Sequence, residues 1–347
     1  MKIIFNKTGE EGIKEMQGFF SKIPGTIDFA DFTSDIIVAQ EEVAKYIGDA
    51  LLEKAITQYH LPEPAPEASG SGDGSDVEAS GSGDGSSVED VAELISRIQM
   101  AVTLMAYRDY AQNSDATHTG TGRVSRSDKD SDALNLKLIE QDDLALQRKG
   151  LKAMDRLIKF VDDKKFSEWV SSEAYKESRE LLIWNADIYE RYFPIERNRR
   201  VFLMLMPMIR KVQLDHILPR LGATAYQALL TKVKSNVISE AADRQLYDLV
   251  CYPIAELALS EAFIKFPTQL FPENMTRQFW NAGNGAAALV LREKLIKDIE
   301  DQGMKSLVNL ETELAKRAAV TSGEAITEVS IVDIAERMDA SNLFARV

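Results

Sequence analysis

Leu94-Ile-Ser-Arg-Ile-Gln-Met-Ala-Val-Thr-Leu-Met-Ala-Tyr-Arg-Asp-Tyr110 and Tyr247-Asp-Leu-Val-Cys-Tyr-Pro-Ile-Ala-Glu-Leu-Ala-Leu-Ser-Glu-Ala-Phe263 lie 153 positions apart with their apolar residues in step. Ile98, Ala101, Val102, Leu104, Met105 and Tyr110 fall on Cys251, Ile254, Ala255, Leu257, Ala258 and Phe263. Steps of three and four place such residues on one inward stripe of an amphipathic helix. The same offset carries Gly150, Leu151, Met154, Leu157 and Val161 onto Gly303, Met304, Leu307, Leu310 and Leu314. A mid-helix glycine costs about 1 kcal/mol against alanine, so its repetition points to a shared requirement. Earlier in the chain the offset becomes 174, matching Ala39, Val43, Ile47, Gly48 and Leu52 with Gln213, Ile217, Leu221, Gly222 and Tyr226. The expectation is an all-α protein made of two duplicated helical modules.

The change of offset has a visible origin. Residues 64–90 form an insertion present in the first copy alone, entered through Pro62, Pro64 and Pro66. It holds a tandem repeat, Glu67-Ala-Ser-Gly-Ser-Gly-Asp-Gly-Ser-Asp-Val and Glu78-Ala-Ser-Gly-Ser-Gly-Asp-Gly-Ser-Ser-Val. Too poor in apolar residues to bury a core, this stretch is expected to be a flexible acidic loop. The expected organisation is a first module over 1–165, connecting helices over 166–196, a second module over 197–318 and a tail over 319–347. Met1–Phe5 and Thr327–Val332 are the candidate short strands, and residues 112–132 form a second polar loop. A helix is expected from a cap at Ser131 or Asp132 to about Val161, with a break near Gly150, and Pro207 and Pro219 predict kinked or interrupted helices.

Composition narrows the function classes. At 347 residues the chain is long enough for two stable cores. Its net charge is -14, of which about -8 comes from Glu63, Glu67, Asp73, Asp76, Glu78, Asp84, Glu89 and Asp90 in or beside the insertion. That sign argues against a general phosphate-binding surface. One basic cluster, Arg191, Arg197, Arg199 and Arg200, is a candidate docking patch for an acidic partner or a nucleic-acid backbone, weighed against a solvated or ion-paired helix start. Neither a secretory leader nor an apolar run of about 20 residues is found, so a cytoplasmic origin and no membrane partner are expected.

Signals for chemistry are weak. The three histidines, His60, His118 and His216, do not share a helical face with another ligand-type residue, and Cys251 stands alone. Gly120-Thr-Gly-Arg-Val-Ser125 lacks the third glycine and the preceding strand of a dinucleotide loop. No cofactor and no catalytic residue is expected. Glu256 and Glu261 interrupt an apolar segment, but five helical positions turn them about 140° apart, so solvent exposure is the expectation. Phe271, Phe279 and Trp280, in the loop facing 112–132 across the duplication, are candidate protein contacts. Leu343 and Phe344 in the tail are further candidates, set against a frayed terminus.

The run Trp184-Asn-Ala-Asp-Ile-Tyr-Glu-Arg-Tyr-Phe-Pro-Ile195, then Arg199-Arg-Val-Phe-Leu203, the Ile209–Gly222 helix and the Tyr247–Phe263 helix resemble an uncharacterised family from phages and prophages of gut bacteria. With the first-copy counterparts, the resemblance covers most of residues 10–310. Each copy is also similar in helix order and size to the head-tail connector, or head-completion, proteins of tailed phages, a likeness of fold alone. The resemblance implies a non-enzymatic virion protein of the neck, made in the bacterial host cytoplasm. Its partners would be itself in a homo-oligomeric ring, the portal, tail and neck proteins, and DNA passing through without sequence-specific binding. The rival reading is a cytoplasmic helical scaffold or adaptor that binds another protein.

Overall fold

The computed structural model describes residues 2–6, 9–61, 87–114, 116–119, 122–125, 136–235, 237–238, 240–266 and 285–322. Among them all regular secondary structure is helical, apart from one short hairpin. The chain divides into two compact units, Met1–Tyr175 and Lys176–Val347, a division inside the stretch expected to connect the modules.

Unit 1 contains α1 (Gly9–Phe19), α2 (Phe29–Ile47), α3 (Asp49–Tyr59), α4 (Val88–Ser114), α5 (Leu136–Lys164), α6 (Ser167–Ser171) and α7 (Glu173–Ser178), the last reaching past the division. Asp28 caps α2 by accepting from the Ala30 N–H at 3.1 Å, and Gly48, at φ +85°, ends it and opens α3. At a positive φ a glycine is the residue without strain. The α2 stripe of Phe32, Ile36, Val43 and Ile47 is fully buried, as are Leu94, Ile98, Ala101 and Val102 of α4. Ser87 and Asp90 cap α4 reciprocally at 3.1 and 3.3 Å, so the last residues of the expected loop form a helix start. Asp90 also pairs with Lys164 at the end of α5, 2.5 Å away.

Three local expectations give way here. Lys2–Asn6 forms neither a strand nor a helix. The expected polar loop starts as the end of α4 and holds an antiparallel hairpin, β1 (Ala116–Thr119) with β2 (Gly122–Ser125). And α5 runs unbroken through Gly150. The glycine serves close approach: a Cβ there would meet Met105 Cγ at 3.3 Å and Leu104 Cβ at 3.9 Å. The second candidate strand, Thr327–Val332, lies outside the described residues.

Unit 2 contains α8 (Ala186–Tyr189), α9 (Arg199–Val212), a π-helical turn (Gln213–Ile217), α10 (Leu218–Leu221), α11 (Ala223–Lys234), α12 (Ala241–Lys265) and α13 (Gly285–Ser322). Asn185 and Asn198 cap α8 and α9 at 2.7 and 3.0 Å. Pro207 stays inside α9 and Pro219 falls in the first turn of α10, where its missing N–H costs nothing. Its core joins Leu205, Ile209 and Ile217 to Val250, Ile254, Ala258, Leu307 and Leu310. A Cβ on Gly303 would meet Leu257 Cγ and Cδ2 at 2.7 Å. Leu104 and Leu257, which face the two glycines, are 153 positions apart, as are the glycines themselves.

The correspondence before Gly48 is finer than the 174 offset. Phe29, Phe32, Ile36 and Ala39, all buried, match Phe202, Leu205, Ile209 and Val212, also buried, at an offset of 173. The offset becomes 174 at Val43 and Ile217, the last residue of the π-turn, and Gly222 beyond it has φ +77° and ψ 154° against +85° and 147° for Gly48. A π-turn takes one residue more than an α-turn. The counterpart of Gln213 is therefore Gln40, and the expected match with Ala39 is corrected by one position.

Candidate functional site

The residue that the π-turn realigns is the anchor of a built site. In unit 1, Ile3, Ile4 and Phe5 are at most 2% exposed, although they belong to no helix or strand. Their backbone cannot leave its polar groups unpaired in the core, and helical side chains supply the partners. Ile4 N–H donates to Gln40 Oε1 at 2.8 Å, and Gln40 Nε2 donates to the Lys2 carbonyl at 3.3 Å. Gln99 Nε2 donates to the Ile4 carbonyl at 2.8 Å, and His60 Nε2 lies 2.8 Å from the Ile3 carbonyl. Asn6 N–H donates to Glu15, whose other oxygen accepts from Tyr59 at 2.6 Å. The apolar tripeptide is thus held as a plug.

Unit 2 holds a second plug, Leu181-Leu182-Ile183, equally buried. Leu182 N–H donates to Gln213 Oε1 at 2.7 Å, and Gln213 Nε2 donates to Tyr226 Oη at 3.0 Å. Tyr247 Oη donates to the Leu182 carbonyl at 2.7 Å. In each unit a buried glutamine accepts from the middle residue of the plug. Local sequence gives one signal of it: Gln40 and Gln213 stand where the apolar stripe expects a hydrophobe, four positions after Ile36 and Ile209.

The basic cluster is divided by the fold. Arg199 and Arg200 are buried, and Arg199 pairs with Asp187 at 2.9 Å. Arg200 Nη1 lies 3.4 Å from Met204 Sδ. Arg197 and Arg191 face solvent. Glu196 and Arg197 both have positive φ, 57° and 52°, in a turn clamped by Glu190, which accepts from Ile195 and Arg197 N–H at 2.8 and 2.9 Å. The cluster is largely a helix entry, with two guanidinium groups left outward.

Glu256 and Glu261 depart from the expected exposure, since both are half-buried. Burial raises the pKa of Glu256, and a hydrogen bond from Ser306 at 2.7 Å partly offsets it. Glu261 pairs with Lys211 and, at 3.7 Å, with Lys265. The two carboxylates have separate partners and form no acid–base pair. Burial pushes the Cys251 thiol well above its ordinary range, and burial lowers the pKa of His216, beside Arg220. Among the described residues no group of three or more His, Cys, Asp or Glu side chains could hold a metal ion, and no helix is long and apolar enough to cross a membrane. Phe271, Phe279, Trp280, Leu343 and Phe344 lie outside the described residues.

Residues 43–179 match a family described as a family of unknown function (DUF6712), a segment that starts within α2 and stops one residue short of the second plug. Neither the curated proteins nor the solved structures give a significant match to the chain.

Proposed function

We propose that the chain is a non-enzymatic structural protein of a tailed-phage or prophage neck, a head-tail connector or adaptor made in the bacterial cytoplasm and assembled as a ring beneath the portal. The observation that carries this reading is the recurrence, in both units, of one helical arrangement with a glutamine-held plug and a glycine-spaced pair of long helices. A closed ring needs head-to-tail contacts between different faces of neighbouring subunits. A chain with two like units offers such faces and closes a ring with half as many copies.

Charge supports the same reading. A wall past which packaged DNA slides must not grip phosphates, and the net charge of -14 suits that. The inward turn of Arg199 and Arg200 removes two of the four clustered cations from any phosphate contact. DNA then passes without sequence-specific binding, and the lasting partners are other copies, the portal and the neck and tail proteins. Size-exclusion chromatography with mass measurement tests the proposal, with the chain alone and mixed with its portal protein. A defined multimer, by itself or on the portal, is expected; a monomer indifferent to portal protein would overturn it.

A further inference from the structure

Where the two units differ, each carries one half of a contact. Between α2 and α3 of unit 1 lies an open groove of about 650 Å³, floored by the buried Ala44 and Ile56. Glu41, Asp49 and Glu53 line it, and none of the three has a cation within ion-pairing distance among the described residues. Against them stand Lys2 and Lys45, and Lys45 is already held by Glu42 at 2.7 Å. The groove is therefore acidic above an apolar floor. Unit 2 lacks these charges, since Ala223 and Gln227 stand at the counterparts of Asp49 and Glu53.

Unit 2 carries the other half. The turn that closes on Glu190 presents Arg191 and Arg197 outward. Among the described residues Arg191 has no carboxylate partner, and Arg197 comes no closer than 4.0 Å to Asp187, which already holds Arg199 at 2.9 Å. Next to Arg191, the Tyr192 ring meets that of Tyr252 edge-on at 5.1 Å, and Tyr252 is 44% exposed. Its counterpart at the 153 offset, Gln99, is 7% exposed and bound to the first plug. Tyrosine and arginine are prominent among the side chains that dominate protein contacts. We propose that this Arg191–Tyr252 patch of one copy docks on the acidic groove in unit 1 of a neighbouring copy. The outward guanidinium groups pair with the free carboxylates, and the Tyr252 ring covers Ala44 and Ile56. A turn already fixed by Glu190 loses little freedom on binding. The contact is heterologous, so every copy offers the patch to one neighbour and the groove to the other. It rests on the self-assembly proposed above and names the surfaces that carry it.

Charge reversal in the full chain tests this, read by size-exclusion chromatography with mass measurement, with and without portal protein. Glu53→Arg and Arg191→Glu both change exposed residues, so circular dichroism should show each variant folded like the parent. Like charges brought face to face should cut the assembled fraction of either variant by about tenfold or more. Assembly should return when both changes are made in one chain. It should also return when the two single variants are mixed, because each then meets an opposite charge on the other. A contact made within one chain would be restored by the double variant and not by the mixture, and that result would overturn the proposal. So would a multimer that survives both single reversals, or one that neither combination restores, leaving the assembly reading standing in each case. A parent chain that stays monomeric with and without portal protein would end both.

Discussion

Gln40 and Gln213 each accept a hydrogen bond from the middle residue of a buried apolar tripeptide, at 2.8 and 2.7 Å, yet the helices around them differ. Gln40 sits in a regular α-turn, whereas Gln213 opens a π-turn with one residue more. A π-turn inside an α-helix is rare. A buried N–H left without a partner costs about 1–3 kcal/mol. The anchor is kept in register and the helix absorbs the extra residue, which is the cheaper of the two outcomes. The second contact of each glutamine differs, going to the Lys2 carbonyl in unit 1 and to Tyr226 Oη in unit 2.

The largest expected effects come from emptying the slots. Ile4→Ala and Leu182→Ala each remove a fully buried side chain, and each should cost about 2–5 kcal/mol. Urea denaturation followed by tryptophan fluorescence measures both, with Trp169 in unit 1 and Trp184 in unit 2 as reporters. A cost below about 1 kcal/mol at one site alone would break the equivalence of the plugs. The glutamines come next. Gln213→Leu strands the Leu182 N–H in the core and should cost about 1–3 kcal/mol, more than Gln40→Leu, because the Lys2 carbonyl belongs to an exposed residue that water can reach. Equal costs would mean that the diverged second contact carries no weight.

The glycines should separate the units in the opposite sense. Gly303→Ala forces a Cβ to 2.7 Å from Leu257 Cγ and should destabilise unit 2 by about 1–3 kcal/mol. At Gly150 the nearest atom is Met105 Cγ at 3.3 Å, on a side chain with freedom to move. Gly150→Ala should therefore be neutral or gain up to about 1 kcal/mol of helix propensity. Thermal unfolding of the two variants decides it, and a stabilised Gly303→Ala would contradict the close packing. A smaller, pH-dependent difference is expected at Glu256, which stands where unit 1 has Thr103. Burial raises its pKa in the folded state, so its charge at neutral pH disfavours folding. Glu256→Gln should be the more stable form at pH 7, and its advantage should shrink as pH falls through the folded-state pKa and vanish below the ordinary carboxylate range. An advantage that grows on acidification would refute that sign.

The long helices were legible because α4, α5, α12 and α13 carry their inward stripes in local periodicity, and the 153 offset needs no structure to be seen. The plugs were not. Ile3-Ile4-Phe5 has the composition of a strand, and its neighbours turn out to be side chains at Gln40, His60 and Gln99, as far as 95 positions away. A one-residue slip at the π-turn also hid the match of Gln40 with Gln213 behind Ala39. In the basic cluster, the sequence shows four positive charges but not their direction. Asp187, twelve positions before Arg199, pairs with the guanidinium of that buried residue.

Exchange of the plugs tests the equivalence of the two units most directly. One variant carries Ile3→Leu and Ile4→Leu, and the other Leu181→Ile and Leu182→Ile, so each slot receives the first two residues of its counterpart. Leu and Ile interchange at nearly constant volume, and such swaps cost under about 1.5 kcal/mol each. Differential scanning calorimetry should show both units still unfolding cooperatively, with modest shifts in Tm. Loss of the transition of either unit would show that the slots are different structures and that the repetition is one of sequence pattern alone.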